Sequence, residues 1–305
     1  MRTFLTLMQR EWLQHRFGWS LLTLVPLGLA LLVLSFGQIQ VDSDAAIERV
    51  GHAFPAIVTA VAMMATTGLT FIIVAATSLI LISGLARRDH QDRSVEFWLS
   101  LPTGHSSSLA APLVTHLLVA PAAALFIGLA GGWLFSLVVV TRLAGLPAWL
   151  ALPWGDIVIA VTAMLARVLV GLPLAVLWAA PLVLAQVLAN AYFKRWGLPV
   201  LLLLLAAAGL LVDRWLGLGS LSQLIGDVLR NAAQALVTSG NYSMEPRSAE
   251  GVFQGLRQIP GWALADLAGA VRALASPLFA GCLATAAAMF ALLVDWRRRG
   301  AGAAG

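Results

Sequence analysis

The sequence predicts an all-α polytopic membrane protein: six transmembrane helices, an N-terminal amphipathic helix, and short interfacial or re-entrant helices before the last span. Three observations carry this. Of the 305 residues, 60% are hydrophobic and 11% charged, with a mean hydropathy of +0.89, whereas an ordinary soluble domain is about 25% charged. The apolar residues gather in runs that reach the roughly 20 helical residues needed to cross a hydrocarbon layer of about 30 Å. No segment supplies the polar surface a soluble catalytic domain needs, so 1-305 reads as a single transmembrane domain.

Residues 1-16 place Phe4, Leu5, Met8 and Trp12 at helical spacing, with Arg2, Gln9, Arg10 and Arg16 on other faces. That pattern describes an amphipathic helix lying in the interface, with Arg10, Glu11, Trp12 and Arg16 among its residues; the alternative is a cytosolic extension of the first span. The following apolar run is too long for a signal-peptide core, so it is read as a retained span. Span one covers Phe17 to Ile39, and an acidic loop with Asp42, Asp44 and Glu48 follows. Spans two (Phe54 to Ala86) and three (Ala110 to Val140) exceed the minimum and must tilt or project. Within span three, Gly128 and Gly132 favour close helix contact.

The fourth run, Ile157 to Ala189, contains Arg167, Pro173 and Pro181. Counting back about 20 to 25 residues from the Tyr192 to Trp196 cluster puts the far interface near Arg167. Arg167 therefore either snorkels to that surface or is a buried intramembrane polar site. Span five, Leu198 to Val212, is bracketed by Trp196 and Trp215 as interfacial anchors. The segment 213-276 is read as extracytoplasmic and holds two amphipathic stretches. One carries Leu221, Leu224, Ile225, Val228, Leu229 and Leu236; the other carries Trp262, Leu264, Leu267, Val271 and Leu274. Span six runs from Pro277 to Trp296 and ends in Arg297, Arg298 and Arg299.

Six spans put both termini on one side. With the 87-109 loop and the Lys194 loop, that side carries eleven basic and five acidic residues; the other carries seven and nine, Arg167 apart. Basic excess marks the cytoplasmic face, so both termini and residues 87-109 are expected there.

Catalytic chemistry is not expected. Lys194 is the only lysine and follows no glycine-rich loop, so the chain cannot hold nucleotide phosphates through a Walker A lysine. Cys282 is alone, which excludes an intrachain disulfide or a cysteine metal cluster. His90, His105 and His116 lie near Asp89 and Asp92, but their spacing matches no H-x-x-x-H arrangement. They are read as solvated loop residues, with His15 and His52 apart from them and no metal site. No G-x-S-x-G elbow occurs, and no acidic residue falls centrally in a span, which argues against an intramembrane protease or proton relay. No catalytic, cofactor-binding or metal residue is assigned.

Between spans two and three stands DRSVEFWLSLP. Asp92 suits a helix cap, Asp89 can pair with Arg93, and Pro102 follows the helix end. Val95, Trp98 and Leu99 share one face, while Phe97 and Leu101 share another. This aromatic surface either lies in the interface or is covered by a cytosolic partner. Here the chain resembles the permease subunit of type-2 ABC transporters, closest to a bacterial group with a D-R-S-x-x-F-W-x-S-L-P segment at this place. Weaker echoes are Arg10-Glu11-Trp12 with His15-Arg16, and the terminal Arg297 to Arg299. The resemblance covers the whole layout but only about thirty residues in motif. It departs at Ser108-Leu109-Ala110-Ala111, where the group usually has a lysine.

The resemblance implies a homodimer or heterodimer of permeases in the bacterial cytoplasmic (inner) membrane. Each copy would press Asp92, Arg93, Ser94, Glu96, Phe97, Trp98, Leu101 and Pro102 into a separate cytosolic ATP-binding-cassette ATPase, which carries ATP and Mg²⁺. The segments within 213-276 would be the short helices before the last span. Export of an unidentified hydrophobic or amphipathic substrate follows as an expectation, and no nucleic acid partner is expected. The alternative is a non-transporting scaffold or assembly factor that docks a cytosolic protein. An integral-membrane enzyme would need clustered acid, base or metal residues at membrane depth, which the sequence does not display.

Overall fold

A computed structural model describes residues 2–37, 51–85, 104–216, 221–238 and 249–302, and every regular element among them is helical. They are α1 (Arg2–Phe36), a 3-10 turn (Gly51–Ala53), α2 (Phe54–Ser83), α3 (His105–Ala144), α4 (Leu146–Leu150) and α5 (Trp154–Phe193). A second 3-10 turn (Lys194–Trp196) leads to α6 (Gly197–Leu216), α7 (Leu221–Leu236), α8 (Ala249–Ala273) and α9 (Pro277–Gly302).

Five of these helices are long and apolar enough to cross a membrane: Thr3–Phe36, Gly51–Ser83, His105–Ala144, Trp154–Phe193 and Pro277–Arg299. The protein is thus a multi-pass membrane protein by length and composition. Its outer surface agrees, since Phe17, Val33, Phe36 and Leu203 are 68–85% exposed along these helices and α6; such a surface suits hydrocarbon, not water. The expected fifth span falls on α6, whose apolar part, Gly197–Leu211, is shorter than the others.

No break separates residues 2–16 from span one. At 35 residues α1 is one helix of about 52 Å, longer than the hydrocarbon layer by about 20 Å. Its first turns are therefore continuous with span one, where the sequence reading expects a distinct interfacial helix. Neither proline nor a strained glycine stands at the junction: Gly18 adopts ordinary helical geometry.

Helix α3 carries a local distortion. Pro121 has no N–H to give to Leu117, and its ring would press on that carbonyl. The turn Thr115–Val119 widens to π spacing, with the Ala120 N–H bonding Thr115 O. The helix stops at Gly145, whose φ of 86° is freely available only to glycine.

Contacts fix the relative directions. Helix α1 runs parallel to α3, with Trp19 against Ala120 and Ala124, and with Arg142 donating to the carbonyls of Leu34, Ser35 and Gly37. Helix α2 runs antiparallel to α3. Helices α8 and α9 both follow α5, from Arg257–Asp156 at one end to Trp296–Tyr192 at the other. Ile82, Leu109, Val187, Ala191 and Leu293 share one core cluster. The ends of α2 and α5, the start of α3 and the last turns of α9 consequently lie at one end of the bundle.

Candidate functional site

The residues singled out from the resemblance, Asp92, Arg93, Ser94, Glu96, Phe97, Trp98, Leu101 and Pro102, lie outside the described residues. The structure does describe the two helices that carry this segment. Helices α2 and α3 make the most extensive helix pair among the described residues. Small residues permit it: a Cβ added at Gly128 would stand 2.7 Å from Thr67 Cα, and one at Gly132 would stand 2.6 Å from Met63 Cα. Thr66, Thr67 and Thr70 face this seam without needing partners across it, because their hydroxyls donate to the carbonyls of Ala62, Met63 and Thr66 in their own helix. Two backbones in such contact leave no room for side chains between them.

Thirteen residues after the first residue of α5 stands a polar centre. Arg167 is 2% exposed, so of the two placements open from the sequence the structure selects burial. Its Nε and Nη2 donate to Asp266 Oδ2 at 2.9 and 2.8 Å. Nη1 donates to Ala235 O at 2.7 Å and Nη2 to Gln234 O at 3.2 Å. Those carbonyls belong to the last turn of α7, where no intrahelical donor remains, so Arg167 caps α7 from a different helix. Asp266 also accepts the Thr238 N–H at 3.3 Å, just beyond the same helix end. Gly171 makes room, since a Cβ there would meet Arg167 Nη1 at 2.5 Å and collide with Ala235 O. The guanidinium and carboxylate together clamp α5, α7 and α8.

A second polar cluster links α1 to α3. Glu11 is buried, and its Oε1 lies 3.2 Å from His116 Nε2 and 3.5 Å from His15 Nδ1. His116 is fully buried at the π turn, not a solvated loop residue, and its ring meets His15 and Trp19 edge-on at 5.0 and 5.2 Å. His15 therefore does join one of the loop-proximal histidines. Trp12 packs on Trp19 at 5.1 Å, Arg10 is half-buried and Arg16 is exposed.

Along α2, α3, α5 and α8 lies an apolar cavity of about 260 Å³, lined by Met63, Phe71, Leu129, Met164, Val168 and Ile259 among others. Thr67 is the one hydroxyl-bearing residue on its wall among the described residues. No known family model, curated protein or solved structure matches the chain.

Proposed function

We propose that this chain is the membrane-embedded permease subunit of an ATP-driven exporter, working as a dimer with a separate cytosolic ATP-binding-cassette ATPase. The observation that carries the reading is the DRSVEFWLSLP segment between the second and third apolar helices. In this reading it is the handle the ATPase grips. Its position supports that role, because it joins the ends of the close-packed α2–α3 pair, so a push on it is delivered to two helices that cannot slide past each other. ATP-driven closure of the ATPase would then bias the permease between two packings. The apolar cavity beside α2 and α3 suits a hydrophobic or amphipathic cargo.

In this topology α6 is the sixth crossing: its 20 residues span about 30 Å. Both termini, the 87-109 loop and the Lys194 turn then face the cytoplasm, as the excess of basic residues favours. The sole lysine being Lys194 supports an external source of ATP hydrolysis.

The test is co-purification and reconstitution with a cassette ATPase encoded beside this reading frame. Substrate-stimulated ATP turnover is expected for the wild type. Replacing Phe97 and Trp98 by alanine should leave membrane insertion intact while abolishing co-purification or stimulation, because buried aromatics dominate contact energies. Retained coupling in that variant would place the ATPase contact elsewhere. A complex without stimulated turnover would favour the scaffold.

A further inference from the structure

We infer that Glu11, His15 and His116 bind one divalent transition-metal ion, Zn²⁺ being the best match, and that the ion fastens α1 to α3. The proposal stands on these side chains alone and does not require the chain to be a permease.

The three donor atoms lie within 4.8 Å of one another. In a tetrahedral Zn²⁺ site with bonds of about 2.0–2.1 Å, neighbouring donors stand about 3.3–3.5 Å apart. The Glu11–His116 and Glu11–His15 separations, 3.2 and 3.5 Å, already match two edges of that tetrahedron. The third separation, between the two imidazoles, is at most 4.8 Å, so the site must tighten around the ion. Glu11 and His15 are four residues apart on one helical face, the spacing by which a single helix offers two ligands to one ion. The third comes from another helix, at a π turn, a distortion often found at functional sites.

Two imidazoles and one carboxylate favour zinc, cobalt, nickel or copper over magnesium or calcium, which prefer all-oxygen sets. Three protein ligands leave a fourth position for water or another donor. Binding requires the lone pairs of His116 Nε2 and His15 Nδ1. His15 Nδ1 faces the Glu11 carbonyl at 3.1 Å, so its proton must move to Nε2. For His116 the proton moves to Nδ1, which is buried with no hydrogen-bond partner among the described residues. Its ring neighbour Trp19 is a poorer acceptor than a carbonyl, and affinity is accordingly expected to fall below that of a site with a complete outer shell.

The rival reading is a buried carboxylate–imidazole hydrogen bond and nothing more. Full-length protein in detergent, free of any histidine tag and stripped with chelator, would be titrated with Zn²⁺ by calorimetry and with Co²⁺ by visible absorption. The expected result is one ion per chain with the intense absorption of tetrahedral Co²⁺ and no thiolate band. His15→Ala, at a partly exposed position that should fold normally, and Glu11→Gln should each weaken binding by more than the roughly 10–100-fold that loss of an outer-shell partner costs. His52→Ala and His105→Ala should change nothing. No saturable uptake by the wild type, or uptake untouched by His15→Ala and Glu11→Gln, would overturn the proposal.

Discussion

The α2–α3 pair and the α5–α7–α8 group face the same difficulty and meet it differently. In hydrocarbon, apolar helices gain little by hiding apolar surface from one another, so association needs either close packing or a polar tie. Helices α2 and α3 use the first: Gly128 and Gly132 bring backbones together, and the threonines at the seam satisfy themselves within α2. Helices α5, α7 and α8 use the second, through Arg167, Asp266 and the last carbonyls of α7. A seam of small residues forms a rigid unit that tolerates no added volume. A buried ion pair holds three elements at one point and tolerates no loss of a partner.

That difference predicts which changes hurt most. Arg167→Ala leaves the Asp266 carboxylate buried and the end of α7 uncapped, and should cost about 3–5 kcal/mol. Thermal unfolding of the purified protein in detergent would measure it. The paired replacement Arg167→Met with Asp266→Leu should recover much of that loss, since exchanging both charges for apolar groups is often near neutral. Failure to recover would mean that capping of α7, not charge balance, is the main contribution. Next in size, Gly132→Leu should cost about 1–3 kcal/mol by forcing the seam apart, while Gly68→Ala, with open space at its Cβ position, should be near neutral. The smallest effect is expected at Arg257, whose ion pair with Asp156 is largely exposed; Arg257→Ala should shift stability by at most about 1 kcal/mol.

The same contrast marks what can be read from the sequence. The seam is legible because Gly128 and Gly132 advertise it within one helix, one turn apart. Arg167 is visible as an anomaly in an apolar run, but its partner is not. Asp266 lies 99 positions away, on a stretch whose apolar pattern hides an acid. Glu11 and His116, 105 positions apart, are invisible as a pair for the same reason. The continuity of α1 is hidden in the sequence because a basic, amphipathic start reads first as a separate interfacial helix. The six-span expectation becomes five long apolar helices and one shorter one, because Leu198 to Val212 is apolar enough but brief.

The central claim is that this chain is moved from the cytoplasmic side through the segment between α2 and α3. Its most direct test is sidedness. A Ser100→Cys variant, with the buried Cys282 replaced by alanine, would be exposed to a membrane-impermeant thiol reagent in spheroplasts and again after permeabilisation. The account predicts labelling only after permeabilisation. Labelling of the introduced thiol in intact spheroplasts would contradict it, since no cytosolic ATPase can grip a loop that faces outward.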